Sequence, residues 1–198
     1  MASVVRSAPL PELPDASRTL VADPAFQEVL QRSLSLIQKV LLSISETHKS
    51  CINTETLQLN STENANLKTM EDTIRFPPAP VVKAISDSFT LETSLRQMSE
   101  GLQLHQALLK SVLPQLDNKD CVTELQADIR DLLIQIHKML RKVQAEPGVQ
   151  PTAATLALRL QGEFEVQVAT HLTLVQLQSF VQDMARCLRS LVQEAQQS

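Results

Sequence analysis

The sequence is poor in the residues from which β-sheets and nucleotide-binding loops are built. It contains no tryptophan, no tyrosine, 5 phenylalanines and only 3 glycines in 198 residues. Sandwiches and barrels need aromatic and β-branched strands joined by glycine-rich turns, so this composition argues against them. Gly101, Gly148 and Gly162 are too scattered to form a phosphate-binding loop or a nucleophile elbow. These absences favour an all-α protein and give no support for an enzyme or a bound cofactor.

Charge and hydropathy argue against nucleic-acid binding, binding to an anionic membrane and a membrane-spanning helix. Lysine plus arginine number 18 and aspartate plus glutamate 22, for a formal net charge of −4. Such mild acidity argues against a broad basic surface for nucleic acid or an anionic membrane. No run of about 18 apolar residues occurs, which excludes a transmembrane helix. A hydrophobic content of 43% is ordinary for a globular protein.

Residues 1–22 are predicted to form a flexible segment ahead of a single domain over residues 23–195. The segment lacks an apolar core long enough for an intact signal peptide. Val5-Arg6-Ser7, followed by a proline-rich stretch, resembles the end of one, which suggests a signal-peptide remnant up to Ser7. A disordered tail of a cytosolic protein is the alternative, and this stretch leaves both open.

Apolar residues at alternating steps of four and three define four long segments. The seams cover residues 30–48, 91–112, 122–143 and 174–191. The first follows Asp23-Pro24, a capping residue followed by proline at the first helical position. Further apolar residues beside each seam widen it into a core-facing stripe. The spacing therefore predicts one four-helix bundle.

The lengths of the connections favour one topology. Residues 114–120 extend to only about 23 Å, so helices two and three are antiparallel. Residues 49–80 are long enough to cross the bundle, as a crossover connection requires. If helix four began near Leu156, the third connection would reach at most about 35 Å, barely the bundle length. The linkers thus favour an up-up-down-down bundle with a long first crossover.

The histidines show no spacing typical of a catalytic or metal site. His48, His105, His137 and His171 form neither a Glu-x-x-His pair nor a His-Glu-x-x-His motif, and no cysteines pair at ligand spacing. His48 and His105 fall on apolar stripes, which predicts buried, hydrogen-bonded histidines rather than ligands. We therefore predict no catalytic residue and no metal ligand.

The three cysteines leave two interpretations open. In an up-up-down-down bundle Cys51 and Cys121 lie at the same pole, so a disulfide between them is geometrically allowed. Cys187, beside the seam of helix four, is predicted to be a buried thiol. Three reduced thiols in a cytosolic protein are the alternative. If the chain is secreted, Asn60 in Asn60-Ser61-Thr62 is a candidate for N-glycosylation.

One exposed feature suits a binding role. Asp128 and Asp131 lie at i and i+3, off the apolar stripe, and are predicted to project from one face of helix three. Two neighbouring carboxylates can dock an arginine or lysine of a partner. Arg32, Ser35 and Lys39 follow one polar face of helix one and would form the other half of the patch. The alternative is a solvated acidic first turn favoured by the helix dipole.

Several segments resemble the granulocyte colony-stimulating factor family. They are residues 80–106, residues 123–131, Gln150-Pro151-Thr152, Leu177-Gln178-Ser179-Phe180 and the proline-rich residues 76–80. The resemblance implies a secreted long-chain cytokine of the interleukin-6 type, an overhand four-helix bundle without enzymatic activity. Such a cytokine brings class I cytokine receptor chains together and promotes neutrophil production. An intracellular helical adaptor or scaffold is the alternative from a different class.

The resemblance also implies receptor-binding roles. Asp128 and Asp131 match two aspartates of the family's main receptor site. Arg32 and Lys39 match basic positions of the same site, and Ser35 stands where the family has a glutamate.

The family's second receptor site uses an acidic residue after helix one, and Glu55 lies near that position. The family disulfide that flanks the start of helix two falls on Ala84 and Ser94 here. That disulfide is therefore absent, and the chain is predicted to be a divergent member.

Overall fold

A computed structural model describes residues 15–61, 67–85, 90–145 and 156–196. These ranges contain α-helices and no strand. The helices are α1 (Asp15–Ala22), α2 (Pro24–Cys51), α3 (Lys68–Ile74), α4 (Leu91–Val112), α5 (Asp120–Lys142) and α6 (Glu163–Gln196). The long helices α2, α4, α5 and α6 are the four that the apolar spacing predicts, so the all-α fold class is confirmed.

Capping side chains define where α2 and α4 begin. Asp23 accepts a hydrogen bond from the backbone N–H of Ala25 at 2.9 Å, and Pro24 occupies the first helical position. Thr90 caps α4 in the same way, accepting from the N–H of Thr93 at 3.2 Å. The predicted start of the first long helix is therefore confirmed.

Contacts between helices establish the up-up-down-down topology. A disulfide joins Cys51 at the end of α2 to Cys121 at the start of α5, so these helices are antiparallel. Ser99 on α4 lies 2.8 Å from the ring of His137 near the end of α5, which makes that pair antiparallel too. The N-terminal part of α6 lies beside the C-terminal end of α2. The parallel pairs, α2 with α4 and α5 with α6, are therefore diagonal in the bundle, and neighbours run antiparallel.

The connections differ from the prediction in two respects. The first crossover contains the short helix α3, anchored by the fully buried Ile74. Helix α6 begins at Glu163 rather than near Leu156, and residues 156–160 are non-helical. Residues 143–162 can then extend to about 65 Å, well beyond the roughly 35 Å length of α5. The third connection is therefore long enough for the observed topology.

The N-terminal prediction needs a correction over residues 15–22, which form α1 rather than a flexible segment. Val21 is buried, its carbonyl accepts from Gln27 Nε2 at 2.7 Å, and α1 packs on α6 and α2. A helix this short is unstable alone, and burial of its apolar side against the bundle stabilises it. Residues 1–14, with the predicted signal-peptide remnant, lie outside the described residues.

Gly101 lets α4 and α6 approach closely in the middle of the bundle. A Cβ at this position would overlap the ring of Phe180, which is itself buried at 1% exposure. Interiors are close-packed, so a fully buried ring has little room to move. The glycine is thus a packing requirement of the α4–α6 contact.

Gly101→Ala is expected to lower the free energy of unfolding by about 1–3 kcal/mol, the usual cost of overpacking, despite alanine's higher helix propensity. Urea denaturation followed by circular dichroism measures the change. Gly162→Ala is the matched control, because its Cβ would meet only the flexible carboxylate of Glu165. Equal stability of Gly101→Ala and the wild type would contradict this account of the packing.

Candidate functional site

Two of the predicted site residues, Lys39 and Asp128, meet where α2 packs against α5. Lys39 Nζ is 2.6 Å from Asp128 Oδ1, and Ser43 Oγ donates to Asp128 Oδ2 at 2.5 Å. Asp128 is only 1% exposed. Both of its oxygens are therefore occupied by groups of the neighbouring helix, which satisfies a carboxylate that would otherwise be costly to bury.

This geometry corrects the prediction that Asp128 and Asp131 project together into solvent. Asp131 is exposed, whereas Asp128 is turned into the α2–α5 interface. Residues three apart on a helix differ by about 60° in direction. With α2 packed on one side, that angle is enough to separate an interfacial carboxylate from a solvated one. The signal that sequence reasoning missed is Ser43, a small hydroxyl beside the apolar seam residue Ile44.

Lys39 belongs to one electrostatic unit with the carboxylates of α5. Its side chain is 55% exposed. The hydrogen bond and the charge of Asp128 raise the pKa of Lys39, and the charges of Glu124 and Asp131 act in the same direction. Glu124, an exposed residue one turn before Asp128, was not among the predicted site residues. Because Glu124 precedes Asp128 by four residues, helix geometry could have placed the two side chains on the same face.

Arg32 and Ser35 lie on the exposed face of α2 that also carries Lys39. They precede Lys39 by seven and four residues, which is two turns and one turn of helix. The hydroxyl of Ser35 donates to the carbonyl of Gln31 at 3.2 Å, so it is engaged by its own helix. The predicted polar face of the first long helix is therefore present.

Glu55 belongs to a different part of the surface. It is exposed and follows the C-terminal end of α2, and about 18 Å of helix separates that end from Lys39. Gln167 Oε1 on α6 accepts from the backbone N–H groups of Asn53 and Thr54 at 2.9 and 3.3 Å, which holds the start of the crossover. Asn60 is exposed near the end of this described stretch.

The disulfide closes the pole at which α2 ends and α5 begins. Cys51 and Cys121 are bonded with a Cα–Cα distance of 6.1 Å, so the predicted disulfide is confirmed. Thr47 Oγ1 donates to the carbonyl of Cys121 at 3.0 Å and reinforces the contact. Cys187 is a free, buried thiol, as predicted, and burial raises its pKa to about 11.

A buried histidine pair joins α2 to α6. His48 Nε2 and His171 Nδ1 are 2.9 Å apart, so one ring donates and the other accepts, which requires a neutral acceptor. Burial lowers the pKa of His48. Burial, followed by the charge of His48, lowers that of His171 to about 4. The apolar pattern predicted a buried His48 but not this pairing, because His171 precedes the fourth predicted seam.

His105 is also buried, as predicted. Its Nδ1 lies 2.7 Å from the carbonyl oxygen of Gly101, while its Nε2 has no hydrogen-bond partner among the described residues. Burial lowers the pKa of His105 to about 4, and the hydrogen bond to Gly101 opposes this only in part. Both predicted core histidines are therefore buried, with only one ring nitrogen of His105 satisfied.

The described ranges contain no group of three or more histidine, cysteine, aspartate or glutamate side chains suited to a metal ion. Among the helices described, none combines the length and apolar character needed to cross a membrane. What the α2–α5 face offers chemically is a fixed pattern of positive and negative charge on a rigid helix pair.

Comparison with known proteins identifies the family. A family model described as granulocyte colony-stimulating factor matches residues 46–189. Granulocyte colony-stimulating factor of Felis catus is 33% identical over 116 residues, which span 57% of this chain and 58% of the feline protein. Granulocyte colony-stimulating factor of Ovis aries is 27% identical over 177 residues, spanning 84% of this chain and 94% of the ovine protein. The chain belongs to the granulocyte colony-stimulating factor family of cytokines.

Proposed function

We propose that the protein is a secreted cytokine that brings together chains of a class I receptor of the granulocyte colony-stimulating factor type and thereby promotes neutrophil production. Membership of the family and the up-up-down-down bundle support this proposal. The observation that carries it is the charged α2–α5 face, which contains Lys39, Asp128 and Asp131 at positions matching the family's main receptor site.

The proposed main receptor surface consists of Arg32, Ser35 and Lys39 on α2 with Asp131 on α5. All four are exposed, and they present charges of both signs. Complementary charges of this kind steer association and select the partner more than they add affinity. Ser35 brings no charge, so Asp131 and the neighbouring Glu124 provide the negative part of the surface.

Glu55 is the proposed contact for a second receptor chain. About 18 Å of helix lies between Lys39 and the end of α2, and Glu55 follows beyond that end. Two separate surfaces allow two receptor chains to bind one cytokine molecule at the same time. That arrangement is what bringing receptor chains together requires.

Secretion is proposed on the strength of the disulfide. Disulfides persist in oxidising compartments and are rare in the cytosol, which argues against the alternative of an intracellular adaptor. Asn60 is the proposed N-glycosylation site. Its side chain is exposed in the first crossover, as attachment of a glycan requires.

Replacement of Arg32 and Asp131 by alanine together is expected to reduce affinity for the receptor ectodomain at least about tenfold, or 1.4 kcal/mol. Because both side chains are exposed, helical content should not change. Surface plasmon resonance at two salt concentrations measures the effect, which should fall mainly on the association rate.

The matched control replaces Asp183 and Arg186, an ion pair of the same residue types on α6, by alanine. This control should bind like the wild type, because the pair lies on α6, outside the proposed receptor surface. It should also stay folded, because exposed ion pairs contribute little to stability. A folded Arg32/Asp131 variant with unchanged affinity would place the main receptor site elsewhere. Equal losses in both variants would show that the effect is not specific to the α2–α5 surface, because neither variant changes the net charge.

A further inference from the structure

We infer that Asp128 is a positioning residue for Lys39 and does not itself contact the receptor. The inference rests on the proposed function and assigns separate tasks to the two matching aspartates. The buried Asp128 holds the Lys39 ammonium in place, while the exposed Lys39 and Asp131 form the surface that a partner contacts.

Burial separates the two partners of the ion pair. The side chain of Asp128 is 2% exposed and that of Lys39 is 55% exposed. An arginine of a partner binds a carboxylate best through both oxygens at once. Here Oδ1 is held by Lys39 and Oδ2 by Ser43, so a partner would have to displace a group of α2 to reach either oxygen.

The two groups that hold Asp128 are one turn apart on a single helix. Lys39 and Ser43 of α2 therefore both bind the carboxylate of Asp128 on α5. This contact fixes the position of the Lys39 ammonium as well as the packing of the two helices. A free lysine has a flexible stem that loses rotamer freedom when a partner binds it. A lysine already held by a short, charge-assisted hydrogen bond has less freedom to lose, which favours binding.

The charges around Lys39 agree with a positioning role for Asp128 and a contact role for Lys39 and Asp131. The charges of Glu124 and Asp131 act on Lys39 in addition to that of Asp128. Glu124 and Asp131 are both exposed, on the turns before and after Asp128. Asp128 thus places a positive charge between two solvated negative ones, at a point fixed relative to the backbone of α5.

A double-mutant cycle tests the inference with Asp128→Asn, Lys39→Met and the combination of both. Asp128→Asn is expected to weaken receptor binding roughly fivefold in the wild-type background, about the effect of one exposed charge. In the Lys39→Met background the same change should have less than a twofold effect, because the residue through which Asp128 acts is gone. An equal loss in both backgrounds would show direct contact with the receptor and overturn the inference.

Ser43→Ala is the control for a purely structural role. It removes the hydrogen bond to Oδ2 and leaves Lys39 paired, so affinity should change by less than about twofold even if the unfolding midpoint falls. Asp128→Glu should restore part of the affinity that Asp128→Asn loses, since it returns a charge to Lys39. Loss of affinity that follows the unfolding midpoint across all variants would contradict a positioning role.

A measurement without receptor separates this inference from the proposed function. The pKa of the Lys39 ammonium, followed by NMR of lysine-labelled protein, should fall in Asp128→Asn and stay raised in Asp131→Asn. If the wild type bound no receptor ectodomain, the proposed function would fail while the NMR result still decided what holds Lys39. An unchanged Lys39 pKa in Asp128→Asn would overturn the inference in either case.

Discussion

Replacement of Cys51 and Cys121 by alanine is expected to lower the free energy of unfolding by about 4 kcal/mol. The disulfide closes a loop of 70 residues, and the chain-entropy model assigns a contribution of that size to such a loop. Native stability of a domain is itself only about 5–15 kcal/mol, so the double variant should lose between about a quarter and most of its stability. Urea denaturation of the purified variant measures the loss.

Two controls isolate the covalent bond. Cys187→Ala also removes a buried sulfur, but one outside the disulfide, and it should cost clearly less than the double replacement. Treatment of the wild type with a reductant should reproduce most of the effect of the double variant. Peptide mapping without reduction should recover Cys51 linked to Cys121. An unfolding midpoint that does not respond to reductant would show that the disulfide does not form.

Acidification from pH 7 to pH 4 is expected to remove several kcal/mol of stability. His105 and His171 have folded-state pKa values of about 4, below the ordinary value of 6.5. The unfolded chain therefore binds more protons than the folded one, so stability present above pH 6.5 is lost as pH falls toward 4. The effect is at most about 3 kcal/mol for His105 and smaller for His171, which shares a proton with His48.

The His48–His171 pair is where a second proton is least tolerated. It would place two positive charges on rings whose nitrogens are 2.9 Å apart inside the bundle. The disulfide still ties α2 to α5, so we expect the N-terminal part of α6 to separate from α2 first. Urea titrations at pH 7.5, 6 and 4.5, combined with NMR of the histidine rings, measure both the loss of stability and the site of protonation.

Variants of His48 and His171 measure how much this pair contributes to the loss of stability at acid pH. His48→Gln with His171→Gln should lower stability at pH 7.5 and flatten the dependence between pH 6.5 and 4. His137→Gln is the comparison variant. His137 is half-buried and hydrogen-bonded to Ser99, and burial and the charge of Arg141 lower its pKa too, so this variant should flatten the pH dependence less than loss of the pair does. If all these variants kept the wild-type pH dependence, acid unfolding would have to be assigned to groups other than the paired histidines.

Much of the fold could be predicted because helix periodicity is a local property of the chain. The 3–4 spacing locates all four long helices, and Asp23-Pro24 marks where α2 begins. Once the helices are known, few connections remain physically possible. The topology favoured by the loop lengths allows the Cys51–Cys121 disulfide, which the structure confirms. The apolar seam predicted for helix four begins only at residue 174, because the earlier turns of α6 bury Thr170 and Thr173. Their hydroxyls donate to carbonyls of their own helix, so these polar side chains can be buried in the core.

The sequence by itself thus determined the fold class and the four long helices, favoured their directions, and allowed the Cys51–Cys121 disulfide. Only the tertiary structure decided that Asp128 is buried while Asp131 is solvated, and that His48 meets His171. Asp128 and Ser43 are 85 residues apart in the chain, and the two histidines are 123 apart. The spacing of residues within one helix shows which side chains share a direction. Whether that direction is solvent or protein depends on how the neighbouring helix packs, which no local pattern contains.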